Sequence, residues 1–151
     1  MKTAEAMLVD EVAAFVRVRL PRYDIYALDP VEALKTGEAS CGVRAYVGAA
    51  AFALEGLQPW FLFHSSQRAT QIPKHSVVAI EDRDHPECAR VINTDNLAMA
   101  ESRIWTPSQI RQYEAEQPEA GFHKYRRLIG LDGWFGFEAL KEQVQEHWLS
   151  R

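Results

Sequence analysis

The chain has 151 residues, a length typical of one domain with its own hydrophobic core, and we expect a single domain over residues 1–151. Its formal net charge of −4 argues against general nucleic-acid binding, which requires a basic face. It holds no apolar run long enough for a transmembrane helix, so we expect neither a nucleic-acid nor a membrane partner.

The amino-terminal residues 1–13 lack the basic and then apolar layout of a secretory signal, so we expect a cytoplasmic protein. Two cysteines, Cys41 and Cys88, are too few for a disulfide scaffold and do not follow a zinc-ligand spacing. We therefore expect no cofactor and no metal.

The first predicted element is a helix over residues 1–19, ended by Pro21. Its apolar residues recur near helical spacing: Met7, Val12, Phe15, Val16 and Leu20. The pair Asp29-Pro30 predicts a second, short helix over residues 31–35, because aspartate caps helices and proline favours their first position.

The segment from Ser40 to Leu57 predicts a buried helix. Ser40 is a favoured N-cap residue, and Gly56 occupies the usual position of a helix end. Between Arg44 and Glu55 the segment carries no charge and is rich in alanine. A helix that is apolar nearly all round belongs in a protein core.

The next part of the chain predicts strands. An aromatic strand covers residues 60–64, and valine-rich strands at 75–80 and 88–93 flank a polar turn. These two form an antiparallel hairpin, preceded by a loop over 65–74. The last third predicts helices over 107–116, 121–129 and 134–149. The order of elements indicates the α+β class, with a central helix packed on a small antiparallel sheet between amino- and carboxy-terminal helices.

Cys41 is the candidate nucleophile. It follows the predicted cap Ser40 directly, so its sulfur would lie at the positive end of the helix, where the dipole and unpaired N–H groups favour a thiolate. The same N–H groups could stabilise an oxyanion.

His75 is the candidate general base, because it begins a strand of the hairpin. Folding the hairpin about residues 84–85 brings His75 opposite residues 93–95. Asn93 and Asp95 are two positions apart and share one face of a strand, so either could orient the imidazole. His64, at the end of the aromatic strand, is a less favoured base because no acid-bearing strand follows it directly.

Two other polar clusters have plainer interpretations. Asp82, Asp84 and His85 could hold a metal, but a solvated turn is favoured. The predicted helix 121–129 carries a small basic face of His123, Lys124, Arg126 and Arg127, for which we favour a solvated surface over a site for an anionic partner.

The pattern of the central segment consists of the run Ser40-Cys41-Gly42-Val43-Arg44-Ala45, the alanine-rich helix and the pair Gly56-Leu57. Together with His75 and the polar pair Asn93 and Asp95, this pattern resembles the core of the transglutaminase-like superfamily. The resemblance covers about residues 37–96. It implies a papain-like fold with a triad of Cys41, His75 and Asn93 or Asp95. Val91 and Ile92 precede Asn93, so alignment with the family pattern gives Asn93.

The resemblance implies thiol-dependent acyl transfer on an amide of a peptide or protein, by a peptidase, a deamidase or a transglutaminase. One alternative is a non-catalytic protein-interaction module on the same fold, in which Cys41 is buried and unreactive. Another is an acyltransferase similar to the arylamine N-acetyltransferases. The sequence makes no prediction of oligomeric state.

Overall fold

The computed structural model describes residues 4–24, 26–27, 29–65, 73–81, 88–92, 102–109, 111, 120–124 and 137–151. The helices with bounds inside these parts are α1 (Ala4–Arg19), α2 (Pro30–Thr36), α3 (Cys41–Leu54) and α4 (Phe137–Leu149). Residues 107–109 and 111 are also helical, as predicted for the start of the helix over 107–116. The strands are β1 (Arg22–Tyr23), β2 (Glu38–Ala39), β3 (Pro59–Ser65), β4 (Pro73–Glu81), β5 (Ala89–Ile92), β6 (Ser102–Trp105) and β7 (Ala120–Lys124). This mixture of helices and antiparallel strands confirms the predicted α+β class.

The amino-terminal helices form where the sequence predicts them. Helix α1 buries an apolar stripe, but Met7 is 54% exposed and Val9 is fully buried, so the predicted stripe is wrong at its first position. In α2, Asp29 Oδ1 accepts a hydrogen bond from Val31 N over 3.0 Å. Gly37 ends α2 with φ of 81°, a left-handed conformation that glycine adopts without strain.

Helix α3 is the centre of the structure. Ser40 Oγ accepts a hydrogen bond from Val43 N over 3.3 Å, as expected for an N-cap. Every described residue from Val43 to Phe52 is buried, which confirms the central buried helix. None of the helices in the described ranges combines the length and the apolar character that crossing a bilayer requires.

The larger sheet has five strands in the order β6-β5-β4-β3-β7, and every neighbouring pair is antiparallel. The predicted hairpin is present as β4 and β5, with Val78 paired with Ile92. Strand β4 begins at Pro73, two residues before the predicted start, so Pro73 and Lys74 belong to the sheet and not to a loop.

The prediction of a helix over residues 121–129 is wrong for its described part. Residues 120–124 form β7, which pairs with β3 along the sheet. His123 and Lys124 therefore lie in a strand, and the basic helix face predicted there is not formed by them. This edge strand depends on a partner about sixty positions earlier, which local periodicity does not reveal.

Close packing fixes α3 on the sheet. A Cβ atom added to Gly48 would lie 3.1 Å from Val78 Cγ1, 3.7 Å from Val16 Cγ2 and 3.8 Å from Val12 Cγ1. Helix α3 thus packs closely against β4 on one side and α1 on the other at Gly48, where it has no side chain. Trp148 of α4 is 1% exposed and completes this core with an edge-to-face contact to Phe15, with ring centroids 5.1 Å apart.

Candidate active site around Cys41

Cys41 is the first residue of α3, as predicted, and it is 6% exposed. The first N–H groups of a helix have no acceptor within the helix, and they create a positive potential at its start. Cys41 and Cys88 are both thiols and form no disulfide. The position of Cys41 therefore has the polarity that stabilises a thiolate, while its burial limits the access of a substrate.

The chain that leads into Cys41 is held by backbone pairing. Strands β1 and β2 are parallel, with Tyr23 paired with Ala39. Asp24 N donates to Ala39 O over 3.1 Å, and Ser40 N donates to Ala27 O over 3.0 Å. These bonds fix the two residues before Cys41 against residues 22–24 and Ala27. Two-residue strands have no sequence signature of their own, and the sequence did not predict this pair.

The connection between α3 and β3 decides which end of the sheet lies beside Cys41. Only residues 55–58 join Leu54 to Pro59, so β3 starts near the end of α3. Phe61 of β3 pairs with Val78, which contacts the middle of α3 at Gly48. Strand β3 therefore runs back toward Cys41, and the antiparallel strand β4 starts at that same end of the sheet.

His75 is the third residue of β4 and lies at this end by its backbone position. It precedes Val78 by three strand residues, or about 10 Å. Cys41 precedes Gly48 by seven helix residues, or about 10 Å as well. Because Gly48 and Val78 are in contact, Cys41 and His75 each lie about 10 Å along their own element from one shared contact.

His64 lies opposite His75 in the sheet, because the two are register partners. The sheet order separates the two candidates: β4 lies next to β5, whereas β3 lies between β4 and β7. Asn93 and Asp95 follow the end of β5 at Ile92 and lie outside the described residues. His75 is thus one strand away from the end of β5, and His64 is two strands away.

Arg44 is a residue of this region that the sequence reasoning did not assign to the site. It is fully buried in the first turn of α3, three positions after Cys41. Its Cζ lies 5.5 Å from the centre of the Tyr23 ring, a cation–π arrangement. The sequence does contain one indication that Arg44 belongs to the site. Arg44 lies three positions after Cys41, and residues three apart on a helix are neighbours.

Metal binding has no support from the described residues. Within those ranges, no group of three or more histidine, cysteine, aspartate or glutamate side chains is arranged to hold a metal ion. Asp82, Asp84 and His85, the metal alternative considered from the sequence, lie outside the described residues.

The comparisons with known proteins give one distant likeness. No family model matches the chain, and no curated protein matches it. Among solved structures, Legionella pneumophila LapG (EGTA-treated) is similar, with a TM-score of 0.49 and 17% sequence identity, covering 95% of this chain and 81% of that chain. At this identity and TM-score, the likeness assigns neither a family nor an activity.

Proposed function

We propose that residues 1–151 form one papain-like domain of the transglutaminase-like type that transfers the acyl group of a peptide or protein amide through Cys41. The observation that carries this proposal is the position of Cys41, at the capped start of a buried helix and at the end of the sheet where β4 begins. A helix start supplies both the potential for a thiolate and N–H donors for an oxyanion.

The proposed reaction has two steps. The Cys41 thiolate attacks the amide carbonyl and forms a C–S bond, and the oxyanion that develops is held by N–H groups at the start of α3. The C–N bond then breaks, and the protonated His75 gives its proton to the leaving amine. Water or a second amine, deprotonated by His75, attacks the thioester and releases Cys41. Water gives a peptidase or deamidase, and an amine gives a transglutaminase.

The register of the hairpin supports Asp95 as the residue that orients His75. In the pair of β4 and β5, Val78 lies opposite Ile92, Ala79 lies opposite Val91, and the same register continues to Glu81 and Ala89. The same register extended by three pairs beyond Val78 would bring position 95 opposite His75, whereas position 93 would face Val77. Directly opposed residues of antiparallel strands are the ones that interact.

A second candidate function is a non-catalytic protein-interaction module on the same fold. The low exposure of Cys41, 6%, favours it, because an attacking thiolate must meet its substrate. Buried cysteine is also a common core residue. The two candidates differ in the reactivity of the thiol and not in the fold.

Alkylation of Cys41 by iodoacetamide as a function of pH separates these candidates. We expect wild-type Cys41 to react with a midpoint well below the pKa of about 8.5 for an ordinary thiol. The His75→Ala variant is expected to lose most of this reactivity at pH 6–7, because the imidazolium no longer stabilises the thiolate. Mass spectrometry assigns the modified cysteine, and Cys88→Ser removes the second thiol.

His64→Ala is the matched control, since it removes an imidazole from the same level of the adjacent strand. It is expected to leave the profile unchanged. A wild-type profile like that of an ordinary thiol, or no alkylation of the folded protein, would reject the enzyme and support the interaction module. An unchanged profile in His75→Ala would reject His75 as the base.

A further inference from the structure

The first turn of α3 contains a buried cation beside the candidate nucleophile. Arg44 is 0% exposed, although arginine is rarely buried completely. A buried guanidinium keeps its proton under all ordinary conditions, so it is a permanent positive charge in a region of low dielectric constant. Such a charge acts strongly on any group nearby that can become an anion.

The contact of Arg44 with Tyr23 places its charge toward the start of α3, where Cys41 lies. Residues three apart on a helix have Cβ atoms about 5–6 Å from each other, and long helical side chains extend toward the amino terminus. The guanidinium carbon lies 5.5 Å from the ring centre of Tyr23, and Tyr23 pairs with Ala39, two residues before Cys41. The charge is therefore beside the start of α3 and not beside its middle.

The ring of Tyr23 also shields this charge from water. Tyr23 is itself 47% exposed, so it separates the buried guanidinium from solvent. Water that reached the guanidinium would screen its field, since the effective dielectric constant rises steeply toward the surface. The exposed ring is thus the part of this arrangement that substitution can alter with least effect on the core.

The other charges described at this end of α3 are weaker influences. Arg22 and Glu38, on β1 and β2, form an ion pair of 3.8 Å whose side chains are 63% and 47% exposed. Asp24 Oδ1 accepts a hydrogen bond from Tyr26 N in an exposed turn. On the sheet, the titratable residues of the β3–β4 pair nearest the start of β4 are Lys74, His75 and His64, of which the two histidines are register partners. Among the described charges, Arg44 combines full burial with a place in the same helical turn as Cys41.

We propose that Arg44 is a positioning residue that holds Cys41 as a thiolate, with Tyr23 as the cover that keeps the field of Arg44 strong. This inference rests on the proposed function of Cys41. It adds a fixed positive charge to the helix dipole and to His75, and it makes part of the reactivity of Cys41 independent of the protonation of any histidine.

The test is the iodoacetamide profile of Cys41 between pH 5 and pH 9 in a Cys88→Ser background. Arg44→Met, which keeps the length of the side chain and removes its charge, is expected to react about tenfold or more slowly at pH 6–7, the effect expected when an opposite charge a few ångströms away is lost. Arg44→Lys, which keeps the charge, is expected to recover most of the rate. If Arg44 had only a structural role, the charged variant Arg44→Lys and the uncharged variant Arg44→Met would not differ in the pH dependence of alkylation.

Tyr23 provides a second test at an exposed position, which applies even where Arg44→Met fails to fold. Tyr23→Ala is expected to slow alkylation at pH 6–7 severalfold, and Tyr23→Phe, which keeps the ring, is expected to match wild type. Circular dichroism and thermal unfolding show which variants are folded. Folded Arg44→Met or Tyr23→Ala protein with the wild-type profile would overturn the role of Arg44.

The result for His75→Ala separates the two proposals. A low midpoint in wild type that changes with His75→Ala but not with Arg44→Met would remove Arg44 and keep the proposed function. A wild-type midpoint near the ordinary value of about 8.5 would overturn both.

Discussion

The indole nitrogen of Trp148 donates a hydrogen bond to Glu55 Oε1 over 2.8 Å. This bond joins the last turn of α4 to the residue that follows α3, 93 positions earlier in the chain. The guanidinium of Arg151 covers the same indole, with its carbon 3.4 Å from the ring centre, and also pairs with Glu11 at 3.1 Å. The carboxy-terminal residues thereby fasten α4 to both α1 and α3.

Removal of the acceptor for Trp148 is expected to destabilise the fold. Glu55→Ala leaves the indole N–H without this partner and should lower the free energy of unfolding by about 1 kcal/mol. Glu55→Gln keeps an oxygen in the same place and should change the stability by less than about 0.5 kcal/mol. Urea unfolding measures the free energy of unfolding of both variants. Equal losses of stability would show that the charge of Glu55 contributes and that its hydrogen bond to Trp148 does not.

The cap of α3 has a measurable contribution of its own. Ser40→Ala removes the acceptor for Val43 N and should lower the free energy of unfolding by about 1 kcal/mol, with the lower thermal midpoint as readout. Ser40→Thr keeps a hydroxyl cap and serves as the control. A Ser40→Ala protein as stable as wild type would mean that another group caps the helix.

The contact between Gly48 and Val78 predicts coupled effects on stability. Gly48→Ala brings a methyl group to 3.1 Å from Val78 Cγ1, and this overpacking should exceed the gain in helix propensity, for a net loss of about 1–2 kcal/mol. In a Val78→Ala background the same change should be neutral or stabilising, because it fills the space that valine leaves. Urea unfolding of the four proteins gives the coupling energy, and additive effects would contradict the packing argument.

The two candidates for the orienting residue predict different reactivities. Asp95→Ala should slow alkylation of Cys41 at pH 6–7 severalfold, because a carboxylate beside His75 stabilises its protonated form and with it the thiolate. Asn93→Ala should have little effect. The same pH profile measures both, and a larger effect at Asn93 would show that the hairpin register changes beyond Ile92.

Helix α3 could be predicted from the sequence because its signals are local. Ser40 caps it, and a run of small apolar residues fills it. The hairpin of β4 and β5 is likewise local, because its two strands are close in the sequence. The location of Cys41 at the start of α3 follows directly. The choice between Asn93 and Asp95 could not be made, because folding about residues 84–85 brings His75 opposite the whole segment 93–95. A choice within that segment requires an exact pair such as Val78 with Ile92.

The features that the sequence did not predict are those created by tertiary contacts. The paired strands β1 and β2 are two residues each and exist because residues 22–23 lie against 38–39. The burial of Arg44 contradicts the usual preference of arginine and is accompanied by a cation–π contact with Tyr23, a residue of β1 and not of α3. Strand β7 includes a glycine, a histidine and a lysine, and its strand character comes from pairing with β3.

Strand β7 is synthesised about sixty residues after its partner β3, and this order has a consequence for the nascent chain. Strand β3 carries Trp60, Phe61, Leu62 and Phe63 in succession, and its outer edge is unpaired until residues 120–124 have left the ribosome. An exposed edge of this composition is a template for association with other chains. We therefore expect the nascent chain, and any product that ends before residue 120, to aggregate through the edge that pairs with β7 in the folded structure.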